Sequence, residues 1–77
     1  MEEQLKVTFA NALDIESDEV NDSTSPDTMP DWDSLAHLNL IANLEKNFNI
    51  QFTMEEVIEM NTFSKIKQVV SRHVENN

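Results

Sequence analysis

Residues 30–38 read Pro-Asp-Trp-Asp-Ser-Leu-Ala-His-Leu, the end of an acidic loop followed at once by the start of an amphipathic helix. Asp33 has the short carboxylate that caps helices, because it can accept a hydrogen bond from an unpaired amide of the first turn. Ser34 then takes the first helical position, with its side chain toward water. The pattern offers this hydroxyl no base and no glycine-built oxyanion pocket. We therefore interpret Ser34 as a residue that another enzyme modifies.

The helix that begins at Ser34 is predicted to run to about Asn47. Its apolar stripe comprises Leu38, Ile41 and Leu44. Leu40 widens the apolar arc, and Phe48 closes the stripe just past the end of the helix. This spacing is typical of a helix with one face in a core. Glu45 is expected to face water.

A first helix is predicted over residues 2–13, because Leu5, Phe9 and Leu13 recur at spacings of four. Residues 14–32 lack sustained periodicity and read as a loop. A loop of this length in a compact domain is usually functional or packed by its own anchors. The anchors we expect are Ile15, Val20, Met29 and Trp32, the last with a hydrogen-bond partner for its indole N–H.

Two more helices are predicted in the last third of the chain. Thr53 and Glu56 fit a capping box, which opens a short third helix that ends at about Met60. Asn61 then breaks the run, and Thr62 caps a fourth helix. The apolar residues that keep helical spacing there are Phe63, Ile66, Val70 and Val74.

The predicted fold class is all-α: a small four-helix bundle with a long loop between helices 1 and 2 and a short third helix. The chain is expected to form a single domain over residues 1–77. It contains no glycine, the residue that most often ends helices in the left-handed conformation. Asn47, Asn49 and Asn61 are the expected substitutes, since asparagine tolerates that conformation.

The charge is strongly negative and unevenly distributed. Fifteen acidic against five basic side chains give a net charge of −10, and residues 14–33 hold eight of the carboxylates with no Lys or Arg. Phosphate backbones and anionic lipids repel such a surface, so we expect no nucleic acid or membrane partner and favour basic protein surfaces. The N-terminus lacks a basic start and apolar run, and no stretch approaches the roughly 20 apolar residues that cross a bilayer. The expected location is cytoplasmic.

No metal site is predicted. An EF-hand needs a glycine at its sixth position and a glutamate at its twelfth, and frames that begin at Asp14 and Asp27 supply neither. The chain has no cysteine, which removes disulfides and thiolate ligands.

Two histidines admit simple interpretations. His37 lies three residues after Ser34, which invites a catalytic triad with Asp33. Asp33 is adjacent to Ser34, however, and cannot readily orient the imidazole, so no triad is predicted. His73 is expected to complement the dipole at the end of the fourth helix.

The stretch quoted above resembles the prosthetic-group site of the acyl carrier protein family. The similarity continues through residues 44–50 (Leu-Glu-Lys-Asn-Phe-Asn-Ile) and residues 62–66 (Thr-Phe-Ser-Lys-Ile). These segments are similar to the end of the family's second helix with the loop that follows, and to the start of its last helix. The resemblance spans nearly the whole chain.

This resemblance implies a free-standing carrier rather than an enzyme. A phosphopantetheinyl transferase would join 4'-phosphopantetheine to the Ser34 hydroxyl through a phosphodiester. The terminal thiol of the arm would then hold an acyl or aminoacyl group as a thioester for acyl-loading and acyl-transferring enzymes. The carrier is expected to be a monomer. The residues expected to meet its partners are Asp33, Leu35, His37, Leu38, Glu45, Glu55, Glu56 and Ile58.

The second helix departs from the pattern of carriers in primary fatty acid synthesis, which is typically richly acidic. The matching positions here are Ala36, Asn39, Lys46 and Asn47, so that Glu45 is the main acidic residue left. Ile58 also stands where a polar residue would be common. A dedicated pathway is therefore predicted, leading to a polyketide, a peptide, a lipid-modified surface sugar or another specialised product.

Two alternatives belong to other classes. The first is a small acidic helical protein-interaction module with no prosthetic group, whose loop docks basic partners. The second is a minimal hydrolase that uses Ser34 and His37, which would require a substrate cleft that so small a bundle can hardly build.

Overall fold

The computed structural model describes residues 2–75. It contains four α-helices and one short 3₁₀ helix between the first two. Their bounds are α1 (Glu2–Leu13), the 3₁₀ helix (Ser17–Glu19), α2 (Ser34–Phe48), α3 (Met54–Glu59) and α4 (Phe63–Glu75). No strand occurs within the described residues. The predicted all-α class, the long loop after the first helix and the short third helix are confirmed.

The core joins α1, the long loop and α4 through aromatic rings. Phe9 is fully buried, and its ring meets Trp32 and Phe63 edge-on with centroids 5.0 and 5.6 Å away. Leu5 and Leu13 are buried on the same face of α1, as predicted. Edge-on aromatic pairs add specific attraction to the area that they bury. The first helix therefore fixes both the loop and the last helix.

The predicted apolar stripe of α2 is wrong at Leu38, which is 62% exposed, while Leu40 is fully buried. Leu40, Ile41 and Leu44 face the core, and Leu38 lies on the edge of α2 that lines a cleft toward α3. The expectation that Glu45 faces water is also wrong. Its carboxylate is half-buried and accepts a hydrogen bond from the Phe52 amide at 3.0 Å, because the loop after α2 folds back over it.

Side-chain hydrogen bonds cap the starts of α3 and α4 at the residues that the sequence predicts. The Thr53 hydroxyl accepts from the Glu56 amide, and the Glu56 carboxylate accepts from the Thr53 amide, so the capping box is complete. At α4 the Thr62 hydroxyl accepts from the Lys65 amide at 3.1 Å. The predicted starts of α3 and α4 are thus confirmed.

The long loop is packed by its own anchors, as predicted. Val20 and Trp32 are buried, and Ile15 and Met29 lie partly buried against the core. The loop also satisfies the first turn of α4, whose leading amides have no partners inside the helix. Those amides, of Phe63 and Ser64, donate to the carbonyl oxygens of Thr24 and Asp22 respectively.

One lysine ties the loop to both terminal helices. The Lys67 ammonium on α4 pairs with the carboxylates of Asp22 in the loop and Glu2 on α1. Its hydrogen bond to Asp22 is the main reason that the pKa of Lys67 is raised. The acidic loop is therefore attached to the bundle by charge as well as by its apolar anchors.

Two residues replace glycine in the left-handed conformation. Asn49 ends α2 with φ of 56°, as predicted, and Asp14 follows α1 with φ of 57°, which the sequence interpretation missed. The same role predicted for Asn47 and Asn61 is wrong, since among the described residues only Asp14 and Asn49 have positive φ. Asn47 instead lies within α2.

Candidate functional site

Ser34 is exposed at the first position of α2. Asp33 caps this end, with its Oδ1 accepting from the Ala36 amide at 2.8 Å. Within residues 2–75, the Ser34 hydroxyl makes no hydrogen bond to another side chain or to the backbone. The hydroxyl is therefore open to an incoming enzyme, while the cap holds the helix start in place.

A cleft of about 570 Å³ opens beside Ser34, between α2, α3 and the long loop. Its polar part consists of Asp33, Ser34, His37 and Asn61. Its apolar lining comprises Pro26, Trp32, Leu38, Val57, Ile58 and Met60. A flexible molecule attached at Ser34 would thus meet a largely apolar surface.

His37 connects the loop to α3 at the floor of this region. Trp32 is 2% exposed, and its indole N–H donates to His37 Nδ1 at 3.0 Å. His37 Nε2 lies 2.8 Å from the carbonyl oxygen of Val57. Because a carbonyl only accepts, the ring carries its proton on Nε2 and leaves Nδ1 as the acceptor for Trp32. The predicted partner for the Trp32 indole is thus found.

These contacts remove the triad that the sequence invites. Both nitrogens of His37 are used by Trp32 and Val57, so neither is available to take a proton from Ser34. Asp33 is occupied by the amide at the helix start. A triad requires a base that faces the nucleophile and an acid that orients the base. The site therefore holds a hydroxyl without catalytic machinery.

The residues predicted to meet partners fall into two groups. Leu35, Leu38, Glu55 and Ile58 are exposed on α2 and α3, and Asp33 is exposed at the start of α2. Glu45, Glu56 and His37 are half-buried, and each makes a hydrogen bond within the protein. The sequence interpretation missed Met54, which is 75% exposed at the start of α3.

Glu56 and His73 form a pair that the sequence does not reveal. His73 Nε2 lies 2.9 Å from Glu56 Oε2, and the imidazole meets the ring of Phe52 edge-on. The pKa of Glu56 is lowered, mainly by the hydrogen bond from the Thr53 amide; burial acts in the opposite direction, and the interaction with His73 lowers the pKa further. His73 thus ties α4 to α3, beyond the dipole role expected for it.

Two asparagines on α2 face α1. Asn39 Nδ2 donates to the carbonyl oxygen of Ala12 at 3.2 Å, and Asn47 Nδ2 donates to the Thr8 hydroxyl at 3.1 Å. Ala36 is partly buried against the core. Three of the four positions that depart from the acidic pattern therefore make contacts within the bundle.

Two kinds of feature are absent from the part of the chain that the structure describes. No group of three or more histidine, aspartate or glutamate side chains is arranged to hold a metal ion. Across residues 2–75, every helix is too short or too polar to cross a bilayer.

Comparison with known proteins agrees with this geometry. Residues 3–70 match the sequence model of the phosphopantetheine attachment site family, and the chain belongs to this family. The fold is similar to the solution NMR structure of a holo acyl carrier protein from Geobacter metallireducens, with a TM-score of 0.86 and 27% identity over 96% of this chain and 85% of that chain. No curated protein sequence matches the chain significantly.

The protein is thus an acyl carrier with a covalently attached phosphopantetheine group, and it is a carrier rather than a catalyst. Proteins of this family act with phosphopantetheinyl transferases and biosynthetic enzymes.

Proposed function

We propose that Ser34 carries the phosphopantetheine arm and that this carrier serves a dedicated biosynthetic pathway rather than primary fatty acid synthesis. The observation that most supports the attachment residue is the Ser34 hydroxyl itself, exposed and unbonded within residues 2–75 at the first position of α2. A transferase needs such access to form a phosphodiester.

The surroundings of Ser34 fit the two chemically different parts of the arm. The start of a 15-residue helix favours a phosphodiester, because its leading amides point outward and its dipole is positive there. The adjoining cleft is lined mainly by apolar side chains, which suit the less polar remainder of the arm and its cargo.

The arm supplies a terminal thiol that holds an acyl or aminoacyl group as a thioester. The chain's own residues hold the attachment point and present it to partners. Asp33 fixes the helix start through its hydrogen bond to the Ala36 amide. Leu35 and Leu38 are exposed on α2, next to the serine and one turn beyond it, where a partner enzyme must approach.

The use of asparagine on α2 supports a dedicated pathway. In carriers of primary fatty acid synthesis, the positions of Asn39 and Asn47 are typically acidic, and here both amides bond to α1. Glu45 bonds to the Phe52 amide, so its carboxylate is also partly withdrawn from the surface. Partners of this carrier would therefore recognise α2 more by its exposed apolar residues than by acidic ones.

The contact surface proposed for partners combines the exposed residues of α2 and α3 with the acidic loop. Charge complementarity to the loop would raise association rates without requiring a tight complex, which suits a shuttle that must be released. Within the surface, Glu55 supplies charge, while Leu35, Leu38 and Ile58 supply apolar area. The carrier would act as a monomer with one domain over residues 1–77.

Intact mass after treatment with a phosphopantetheinyl transferase and coenzyme A tests the attachment residue. We expect the wild type to gain one phosphopantetheinyl group and Ser34→Ala to gain none. Ser17→Ala is the matched control, since Ser17 is also exposed and begins the 3₁₀ helix after an acidic residue. Labelling that persists in Ser34→Ala would overturn the assignment. A folded wild type that accepts no group would favour the interaction module without a prosthetic group.

A further inference from the structure

The third helix is held largely by contacts from outside itself. It has only six residues, far fewer than an isolated helix needs in water. Near its amino end, the Glu56 carboxylate pairs with His73 of α4. In its last turn, the carbonyl oxygen of Val57 accepts from His37 Nε2 of α2 at 2.8 Å. Carbonyls in a last turn lack partners inside the helix, so His37 caps α3 from a neighbouring helix.

The same imidazole satisfies a buried group of the long loop. Trp32 is the only tryptophan of the chain and is almost fully buried. An indole N–H without an acceptor there would lower the free energy of unfolding. His37 Nδ1 is that acceptor, at 3.0 Å. One ring therefore links the loop to α3, and only the neutral form with its proton on Nε2 makes both bonds. A second proton on Nδ1 would set one N–H against another.

We propose that His37 is a positioning residue of the attachment site, which fixes α3 against the loop and so sets the shape of the cleft that receives the prosthetic arm. The part that concerns the arm rests on the proposed attachment at Ser34. His37 itself, Trp32 and Val57 all line the cleft, together with Ile58 and Met60 on the α3 side. Loss of the two hydrogen bonds would free that wall to move.

No carboxylate competes for His37 in the described structure. Asp33, at the start of the same helix, accepts from the Ala36 amide. Glu56, on the helix that His37 caps, accepts from the Thr53 amide and pairs with His73. The contacts of His37 come from the loop and α3 alone, with Trp32 and Val57 as its partners.

Three variants separate the effect of the His37 hydrogen bonds from the effect of its side-chain volume. His37→Gln keeps an amide oxygen for Trp32 and an amide N–H for Val57 but does not titrate. His37→Leu keeps a side chain of similar volume and removes both hydrogen bonds. His73→Leu is the matched control, because it removes the other histidine that ties α3 and leaves the cleft lining unchanged. The apo proteins serve for the first two measurements, so these are independent of the attachment residue.

The first measurement is the fluorescence emission of Trp32 at neutral pH, which reports the surroundings of the indole ring. We expect the emission maximum of His37→Gln and of His73→Leu to match that of the wild type, because Trp32 keeps a hydrogen-bond acceptor in both. In His37→Leu the indole N–H loses its acceptor, so the maximum should shift. An unshifted maximum in a folded His37→Leu, or a shift of the same size in His37→Gln, would overturn the proposal.

The second measurement is amide hydrogen exchange of residues 57–61. Removal of a hydrogen bond that contributes about 1 kcal/mol should speed exchange about fivefold in His37→Leu, and His37→Gln should restore the wild-type rate. Equal rates in the wild type and His37→Leu would contradict the proposal, as would a fast rate in the glutamine variant.

The third measurement compares apo and holo proteins by amide chemical shifts. Attachment of the arm should shift residues of α3 in the wild type and in His37→Gln, with smaller shifts in His37→Leu. If no holo protein forms, intact mass shows that the attachment proposal has failed. If holo protein forms and the α3 shifts are the same in all three proteins, only the role of His37 is disproved.

Discussion

The side-chain amide of Asn39 donates to the carbonyl oxygen of Ala12 across 3.2 Å, which joins the middle of α2 to the last turn of α1. That carbonyl has no partner within α1, because the last four carbonyls of a helix have no following amide. A glutamate at position 39 could not donate this bond. The same position thus serves either the fold or an acidic docking surface.

Introducing acidic residues on α2 should raise turnover of the holo protein by enzymes of primary fatty acid synthesis. We expect the holo protein to be a poor substrate for a malonyl transferase or ketosynthase of primary fatty acid synthesis, and Ala36→Asp with Asn39→Glu to improve turnover a few-fold. The gain follows from ion pairs at the surface that contribute about 0.2 to 1 kcal/mol each, and the partial burial of Ala36 keeps the expected gain modest. Steady-state kcat/KM measures it.

The matched control for that experiment is Asn39→Ala, which loses the bond to Ala12 without adding charge. It should lower the free energy of unfolding by about 0.5 to 1.5 kcal/mol and leave turnover low. Equal turnover of the wild type and a housekeeping carrier would defeat the dedicated-pathway proposal while leaving the carrier assignment intact.

Glu56→Gln should reduce stability near neutral pH and have little effect in acid. The pKa of Glu56 is lowered from 4.5 by the hydrogen bond from the Thr53 amide and by His73. A carboxyl group with a lowered pKa stabilises the fold fully above its ordinary pKa, and this contribution is lost as pH falls through the lowered value. Urea unfolding from pH 7 down to pH 3 measures the difference between the two proteins.

Glutamine still accepts from the Thr53 amide in this variant, so the difference reports the charge. Glu55→Gln, at an exposed carboxylate on the same helix, is the control and should change stability little. A gap between wild type and Glu56→Gln that widens on acidification would contradict the assignment.

Phe9→Ala should unfold most of the protein at room temperature. The ring is fully buried between Trp32 and Phe63, and truncation of such a ring costs about 3 to 5 kcal/mol. A single core in a chain of this size rarely supplies more than about 3 to 5 kcal/mol in total, so the loss removes most of the stability. Phe9→Leu keeps most of the volume and should remain folded with a lower Tm. Circular dichroism melts decide, and near-wild-type stability of the alanine variant would show that the aromatic cluster is not central.

Asn49→Gly should keep or raise stability, because Asn49 holds φ of 56° at the end of α2, where glycine has no steric penalty. Asn49→Ala should lower the free energy of unfolding by about 1 kcal/mol. Asn43→Gly, in the middle of the same helix, is the control and should destabilise. Chemical denaturation of the three variants tests this, and a stable alanine variant would argue against a strained helix end.

Salt should raise the Tm of this protein. Fifteen carboxylates against five basic side chains repel one another at neutral pH, and ions screen that repulsion. Salt also weakens the pairs of Lys67 with Asp22 and Glu2, but these are few. A variant with Asp14→Asn, Glu16→Gln and Asp18→Asn should respond less. An unchanged or lower Tm across a sodium chloride titration would show that repulsion does not limit stability.

Local patterns in the sequence predict much of this fold. The caps at Asp33, Thr53 and Thr62 depend on neighbours within one helical turn, and all three form as expected. The pattern wrongly assigns Leu38 to the core, because helical spacing predicts which residues share an apolar face but not which edge of that face lines a cleft. The αL conformation of Asp14 was missed because asparagine is the more familiar substitute for glycine.

The candidate site is predictable only in part. Ser34 and Asp33 stand out because they are adjacent in a pattern. The roles of His37 and His73 depend on partners 17 to 20 positions away, at Val57 and Glu56, and no spacing rule reveals such contacts. The bond from Asn39 to Ala12 is hidden for the same reason, since it follows from how α2 packs on α1.

The bonds from Phe63 and Ser64 to the carbonyls of Thr24 and Asp22 give the long loop a part in the order of folding. Thr62 starts α4 from within its own segment, but the amides of Phe63 and Ser64 find partners only when a segment far earlier in the sequence has reached them. Such non-local closure slows folding relative to helices that form from neighbours alone. The loop that leads to the attachment site therefore also completes the hydrogen bonds at the amino end of the last helix.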